Sequence, residues 1–263
     1  MKCLKRLLFS LISILVLGLA AWFVVMPDVS KLAKQNPGKT SFMEYREREW
    51  KEKGKTYRIT QTWVPLSRIS PYLMKAVLIA EDDKFWSHEG FDYEAMQKAM
   101  EKDLREKKFK LGGSTVSQQL AKNLYLSPSK NPLRKIAEAV ITWRMERSLS
   151  KKRILELYLN VIEWGEGIFG AEAAARHYFG KAASALSAEE AARLAAVLPN
   201  PRKYNPAGEQ RYVTNRSNLI YGIMLRRGIV VPDYQEITES AGTPQPPDMV
   251  SLPVPIEEQK PAP

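Results

Sequence analysis

Cysteine and histidine are scarce in this chain, which narrows the chemistry open to it. The 263 residues include one cysteine, Cys3, so no intramolecular disulfide can form. Cys3 and the two histidines, His88 and His177, are too few to build an ordinary zinc site. The scarcity therefore argues against a disulfide-stabilised scaffold and against a zinc enzyme.

Acidic residues are outnumbered by basic ones. Forty Lys and Arg against 29 Asp and Glu leave a net charge of +11. Such an excess favours a polyanionic partner, and nucleic acid, anionic lipid and a phosphate-bearing substrate all qualify. The length allows one sizeable domain or two small ones, and the 44% hydrophobic content is enough for a real core.

Charge is absent from residues 7–26, which are dominated by Leu, Ile, Val, Ala and Phe. A helix of about 20 such residues spans roughly 30 Å, the thickness of a bilayer core. Lys2, Lys5 and Arg6 precede it, so the positive-inside rule places residues 1–6 in the cytoplasm. The run is longer than the apolar part of a signal peptide and has no Ala-x-Ala end. We predict a single-pass anchor in the inner membrane, with the rest of the chain outside the cytoplasm.

The remaining pattern predicts a mainly α protein. We assign residues 27–69 to a stalk and connecting segment, 70–241 to the main domain, and 242–263 to a Pro-rich disordered tail. A weak strand is predicted over 55–64, and a glycine loop over 165–170. Predicted helices begin at Ser70-Pro71, after Asp92, at Ser114, at Asn131-Pro132, at Ser150, after Gly170, at Ser187 and near Gln210.

Three consecutive acidic residues, Glu81 to Asp83, end the first helix of the main domain. A carboxylate at the end of a buried helix is partly desolvated, which raises its pKa and suits it to general base catalysis. A solvated acidic turn is the alternative interpretation. Phe85 and His88 follow in the same stretch.

A glycine pair, Gly112-Gly113, precedes another predicted helix. Such a start exposes backbone N–H groups that bind anions, although the spacing is not that of a P-loop. The polar side of this helix carries hydrogen-bonding groups and one cation: Thr115, Gln118, Gln119 and Lys122. This side is either a ligand-binding face or the exposed side of a plain amphipathic helix.

Two cations and a carboxylate share neighbouring faces of the helix after Pro132. Arg134 and Lys135 lie four and three residues before Glu138. The group has the charges to bind a diphosphate while it holds a second acid in place. An ordinary surface salt bridge would look the same in the sequence.

Taken together, these stretches resemble the peptidoglycan glycosyltransferase family, which includes the N-terminal domains of bifunctional penicillin-binding proteins and the monofunctional biosynthetic transglycosylases. They read Glu81-Asp-Asp-Lys-Phe85-Trp-Ser-His88-Glu-Gly90, then Gly112-Gly-Ser-Thr-Val-Ser-Gln-Gln-Leu-Ala-Lys122-Asn123, then Arg134-Lys135-Ile-Ala-Glu138. The resemblance runs from about Ser70 to Pro206, and the block from Trp164 to Lys181 is most similar to the monofunctional branch.

The resemblance implies a lysozyme-like α fold and a mechanism. Glu81 would be the general base that deprotonates the 4-hydroxyl of lipid II, and Glu138 the second catalytic carboxylate. That oxygen would attack the anomeric carbon of the growing glycan chain with inversion, giving a β-1,4 bond and releasing undecaprenyl pyrophosphate. The resemblance also implies three groups of supporting residues: Lys122, Arg134 and Lys135 at the pyrophosphate, Thr115, Gln118, Gln119 and Asn123 lining the donor site, and Phe85 and His88 shaping the loop around Glu81.

Cofactors and partners follow from the same resemblance. No protein metal site is expected, and a divalent cation, Mg²⁺ or Mn²⁺, stays open as an aid at the pyrophosphate. The implied partners are lipid II, the growing glycan, the membrane, and proteins of cell division or elongation. The implied role is cell wall biogenesis and the maintenance of cell shape.

Several alternatives remain. A lysozyme-like hydrolase or lytic transglycosylase would share an essential Glu, but a neutral glycan needs no cation cluster. An inactive membrane scaffold is the second alternative. Nucleic-acid binding fits poorly with a location outside the cytoplasm. Two Ser-x-x-Lys matches, at 127–130 and 148–151, have no Lys-Thr-Gly after them and do not indicate a transpeptidase.

Overall fold

The structure is a computed structural model that describes residues 26–106, 113–128 and 131–230, with Arg6, Phe9, Ser10 and Ser13 near the N-terminus. Mainly α architecture is confirmed within these residues. The helices are α1 Ser41–Glu52, α2 Pro71–Glu81, α3 Tyr93–Glu106, α4 Val116–Tyr125, α5 Pro132–Ser148, α6 Lys151–Val161, α7 Ala171–Phe179, α8 Ala188–Val197 and α9 Arg211–Arg226. The strands are β1 Thr60–Gln61, β2 Glu163–Gly165 and β3 Ile168–Phe169, and short 3₁₀ turns span Ser30–Ala33, Leu66–Arg68 and Ala183–Ala185.

Helix α4 lies in the middle of the body. It packs against α1, α5 and α6, while α8 packs against α2 and α9. The side chains of Leu73, Leu120, Ile154, Leu157 and Leu194 are fully buried in one continuous core. Burial of this apolar surface is the main force that holds the helices together. The arrangement brings the C-terminal end of α2 next to α4.

The start of α4 differs from the prediction. Thr115, rather than Ser114, is the N-cap, so the predicted cap was wrong by one residue. The Thr115 hydroxyl accepts a hydrogen bond from the Gln118 N–H at 3.2 Å, and the Thr115 N–H donates to the Gln118 side chain at 3.0 Å. This reciprocal pair is a capping box, and it requires Gln three residues after the cap. Only Thr115 has that partner.

The glycine stretch predicted as a loop forms a short hairpin instead. Strand β3 pairs antiparallel with β2 and parallel with β1, with Thr60 opposite Ile168. Gly170 then starts α7 with φ 83°, and a Cβ there would lie 2.7 Å from the Asn160 carbonyl oxygen. The hairpin therefore turns tightly into α7 only because the residue is glycine.

The segment 27–69 belongs partly to the folded body. Its helix α1 packs against α4, and Trp50 is buried at 2% exposure. The predicted anchor at 7–26 lies almost wholly outside the described residues, as does the predicted tail at 242–263. Among the residues that are described, no helix is long and apolar enough to cross a membrane.

Candidate active site

Glu81 is the last residue of α2, and its side chain is 14% exposed. Gln119 of α4 donates a hydrogen bond from Nε2 to Glu81 Oε2 at 2.8 Å. The Tyr158 hydroxyl of α6 donates in turn to Gln119 Oε1 at 3.0 Å, which fixes the orientation of the Gln119 amide. Burial raises the pKa of Glu81, although Gln119 and nearby cations lower it. A carboxylate of this kind is suited to accept a proton near neutral pH.

Asp82 attaches the Glu81 segment to the start of α4. One carboxylate oxygen accepts from the Val116 N–H at 2.8 Å, and the other lies 2.9 Å from His88 Nε2. The Gly90 N–H donates to His88 Nδ1 at 3.1 Å, so Nε2 is the ring nitrogen that donates to Asp82. Phe85 is fully buried, with its ring edge-on to His88. Phe85 and His88 thus pack within the loop that follows Glu81.

Thr115 and Gln118 build the helix start itself. Besides the capping box, the Thr115 hydroxyl donates to the Gly90 carbonyl oxygen at 2.7 Å. The two side chains are 2% and 3% exposed. Gly90 has φ 90°, and a Cβ there would lie 2.9 Å from Thr142 and Glu146 side-chain atoms. These contacts lock the loop of residues 82–90 onto α4.

The second predicted carboxylate, Glu138, lies on the second turn of α5 with its side chain 4% exposed. Arg134 donates to Glu138 Oε2 at 2.9 Å, and the Lys135 ammonium donates to Oε1. Lys135 also lies 3.5 Å from the Ser114 hydroxyl. The expected grouping of one acid with two cations is therefore present, and the acid is far more buried than in a surface salt bridge.

Lys122 of α4 carries a positive charge into the region between the two carboxylates. Burial lowers its pKa, while Glu138 and Glu81 attract the charged form and Arg134 and Lys135 oppose it. In the described part of the chain, no side chain or carbonyl forms a hydrogen bond with its ammonium. The ammonium is therefore available to an anionic ligand.

A cavity of about 230 Å³ lies beside Lys122. Its walls come from α1, α4, α6, β2 and the segment after α8: Phe42, Arg46, Gln119, Lys122, Asn123, Tyr158, Ile162, Glu163 and 198–202. Glu81 does not line the cavity itself, but it is joined to the cavity wall because Gln119 lines the cavity and donates a hydrogen bond to the Glu81 carboxylate. Of the four residues expected to line the donor site, the cavity includes Gln119 and Asn123 and omits Thr115 and Gln118.

A network of ion pairs at the cavity was not predicted from the sequence. Arg46 of α1 bonds to Glu163 Oε2 at 2.7 Å and to Glu49 at 2.7 Å. Arg202 bonds to Glu49 at 2.9 Å and to Glu166 at 2.7 Å. Arg46 and Glu49 are three positions apart on α1, but the other partners lie up to 153 positions apart, so no local spacing indicates the network as a whole. The network joins α1, β2 and the segment after α8 into one wall.

Carboxylate side chains are the groups near Glu81 that could ligate a metal ion. No group of three or more His, Cys, Asp and Glu able to hold an ion occurs among the residues that the structure describes. The Glu81 carboxylate accepts a hydrogen bond from Gln119, and the adjacent Asp82 carboxylate is bonded to the Val116 N–H and to His88.

The chain is similar in sequence to known proteins over most of its length. The family model described as Transglycosylase matches residues 48–225. The biosynthetic peptidoglycan transglycosylase of Dechloromonas aromatica is 52% identical over 207 residues, which cover 78% of this chain and 87% of that protein. Proteins of the same name from Nitrosospira multiformis and Azoarcus sp. are 50% identical (74% of this chain, 84% of that one) and 59% identical (64% and 73%). The resemblance found in the motifs is confirmed, and the chain belongs to the family of biosynthetic peptidoglycan transglycosylases.

Proposed function

We propose that the chain polymerises lipid II into β-1,4-linked glycan strands and releases undecaprenyl pyrophosphate. The observation that carries this proposal is the position of Lys122 between two carboxylates: the largely buried Glu81, whose pKa is raised, and Glu138, which pairs with Arg134 and Lys135. A base and a cation cluster are the two things that this transfer needs. The hydroxyl must lose a proton, and the leaving pyrophosphate gains negative charge.

The proposed step begins at Glu81. Its carboxylate accepts the proton of the 4-hydroxyl of lipid II, and that oxygen bonds to the anomeric carbon of the growing chain. The bond from that carbon to the pyrophosphate oxygen breaks, and its electron pair leaves with the pyrophosphate. Because attack and departure occur on opposite faces, the α-linked centre becomes β. Gln119 holds the carboxylate in place for this step.

The cations stabilise the leaving group. Among Lys122, Arg134 and Lys135, Lys122 is the one whose ammonium has no hydrogen bond to a described residue. We therefore assign it to direct contact with the pyrophosphate oxygens. Arg134 and Lys135 add charge from α5, and Glu138 keeps both side chains on the side that faces Lys122. Any divalent cation is assigned to the substrate phosphates rather than to a protein site.

The remaining predicted residues support the two carboxylates. Gln119 and Asn123 are assigned to contacts with the sugar in the cavity, where the Asn123 amide also donates to the Gln119 carbonyl at 2.8 Å. Gln118 acts on the donor site through the α4 helix start, and Thr115 does so as well while it lines a second cavity, of about 180 Å³, together with Glu81 and Ser114.

An exposed apolar surface supports action at the membrane. On α3, large apolar side chains recur on one face with 40–76% exposure: Tyr93, Met96, Met100 and Leu104. On α5, Leu133 is 69% and Ile136 54% exposed. Exposed apolar stripes of this size are typical of membrane or partner contacts. We propose that these faces rest on the outer surface of the inner membrane, with residues 7–26 as the anchor and cell-division or elongation proteins as neighbours.

A hydrolytic or lytic activity is the competing function. Such an enzyme would also need an acidic residue like Glu81. It would have no use for Lys122, Arg134 and Lys135 around a buried acid, because its glycan substrate carries no pyrophosphate. The cation cluster therefore favours the polymerase.

The test is the conversion of labelled lipid II by detergent-solubilised full-length protein. The wild type should give a ladder of long glycans, and Glu81→Gln should give none. Asp83→Asn is the matched control, because its exposed carboxylate lies two residues away and pairs with Arg227. A wild type that shortens preformed glycan would support the lytic activity, and one that binds lipid II without converting it would support a scaffold.

A further inference from the structure

Helix α9 lies outside every motif, yet it contacts the segment that carries the proposed base. Arg216 of α9 lies with its NH2 group 3.9 Å from Glu81 Oε1 and 3.4 Å from the Ala80 carbonyl oxygen. Ala80 and Arg216 are 136 positions apart. Gln119 holds the other carboxylate oxygen of Glu81, so the two side chains approach the carboxylate at different atoms.

The Arg216 guanidinium is not engaged by another acid in the described part of the chain. Its contacts there are Ala80 and Glu81, and its buried Nε–H has no hydrogen-bond partner among those residues. The separation of 3.9 Å is an ion pair and too long for a hydrogen bond. Its effect on Glu81 is therefore electrostatic, and it acts on a carboxylate that burial disfavours in the charged form.

We propose that Arg216 is a positioning residue for the reaction, which holds the Glu81 carboxylate in the ionised form that proton abstraction requires. This rests on the proposed role of Glu81 as base. The charged and titratable groups that face Glu81 are Arg216 from α9, Lys122 from α4, Asp82 next to it in the chain, and Tyr158 from α6. Lys122 is assigned to the leaving pyrophosphate. Arg216 is therefore the cation near Glu81 that is assigned to the base and to no other group.

The same helix offers a matched control. Arg227, which follows α9, forms an ion pair with Asp83 in which NH2 lies 2.9 Å from Oδ2. Both side chains of that pair are about half exposed, and neither touches Glu81. Arg227→Gln therefore removes one positive charge near the Glu81 segment while it leaves the contacts of Glu81 with Gln119 and Arg216 in place.

The experiment measures kcat/KM for lipid II polymerisation against pH with full-length protein. In Arg216→Gln the acid limb of the kcat/KM profile should move to higher pH by about one unit. This is the low end of the pKa change of about 1–3 units that a cation within 4 Å causes, because the Arg216 side chain is 31% exposed to solvent. On the acid side this is a loss of about tenfold. At alkaline pH the rate should return towards the wild-type plateau. Arg216→Lys and Arg227→Gln should keep the wild-type limb.

Two outcomes overturn the proposal. One is an Arg216→Gln variant whose plateau falls while its acid limb stays in place, since that marks a substrate contact or a purely structural role. The other is a folded Arg216→Lys variant whose limb moves as far as that of the Gln variant. The Lys variant also decides the matter if Arg216→Gln does not fold. If the wild type makes no polymer, the proposed function fails instead, and this outcome is distinct from both.

Discussion

Lys122 is partly buried and has no hydrogen-bond partner among the described residues, so replacing it by methionine is expected to change stability and catalysis in opposite directions. Burial is the largest influence on its pKa and lowers it, which means that the folded protein disfavours the charged form. The attraction of Glu138 and Glu81 offsets only part of this cost. Methionine has a similar length, carries no charge and packs well in irregular apolar surroundings.

The expected gain in stability is about 1 kcal/mol, within the range found when a functional but unfavourable group is removed. For a chain of this size that raises Tm by roughly 2–4 °C. The pH dependence has a definite sign. The folded-state pKa lies below the ordinary value of 10.5, so the unfolded state binds more protons between these values, and wild-type stability rises with pH through that window. Lys122→Met should lack this rise.

Catalysis should fall by at least about a hundredfold, the usual cost of removing one group that stabilises developing negative charge. The assay pairs thermal unfolding with lipid II polymerisation on the same preparation. Lys135→Met is the comparison for the unfolding measurement alone: its side chain is 42% exposed and already bonded to Glu138, so this variant should show no gain in stability. A Lys122→Met protein that is less stable than the wild type by more than 1 kcal/mol would refute the reasoning, because Lys122 would then make a net favourable contact.

Three further results are expected. Because burial raises the pKa of Glu81, kcat/KM should be lost on the acid side with an apparent pKa above 4.5, and a pH profile checks this. Glu138→Gln should lower the polymerisation rate by about a hundredfold. It should also lower the free energy of unfolding in urea by about 1–2 kcal/mol, which is less than the loss on breaking a fully buried pair, because the Lys135 side chain is 42% exposed. Thr115→Ala should lower the free energy of unfolding by about 1–2 kcal/mol because the N-cap is lost, whereas Ser114→Ala should lower it by less than about 0.5 kcal/mol. Equal losses at 114 and 115 would contradict the capping assignment.

Local patterns predicted most of the helices, because caps and apolar spacing act within a few residues of each other. The box at Ser187 and Glu190 is present as predicted, and Pro71 and Pro132 occupy first turns. The one-residue error at Ser114 arose because two adjacent hydroxyls both fit a cap, and only the Gln118 partner separates them. The hairpin at 163–169 was missed, since its strands are two and three residues long and part of its pairing is with β1.

The site was predictable to the extent that its residues lie in continuous motifs. Glu81, Lys122, Arg134, Lys135 and Glu138 could all be named from the sequence, and the structure brings the two carboxylates and the three cations to one region. The role of Thr115 and Gln118 could not be predicted from the sequence, because the same polar side chains can either bind a ligand or cap a helix. Only their burial at 2–3% exposure distinguishes the two uses.

The sequence by itself therefore determined the family and the helical class, and it named the candidate acid and cation residues, since each of these depends on residue types within a short span. Tertiary structure alone decided what surrounds them. Arg46 reaches Glu163 across 117 positions, and Arg216 reaches Ala80 and Glu81 from the last described helix. Such contacts exist only after burial of the core has brought distant helices together, and the electrostatic surroundings of Glu81 depend on the second of them.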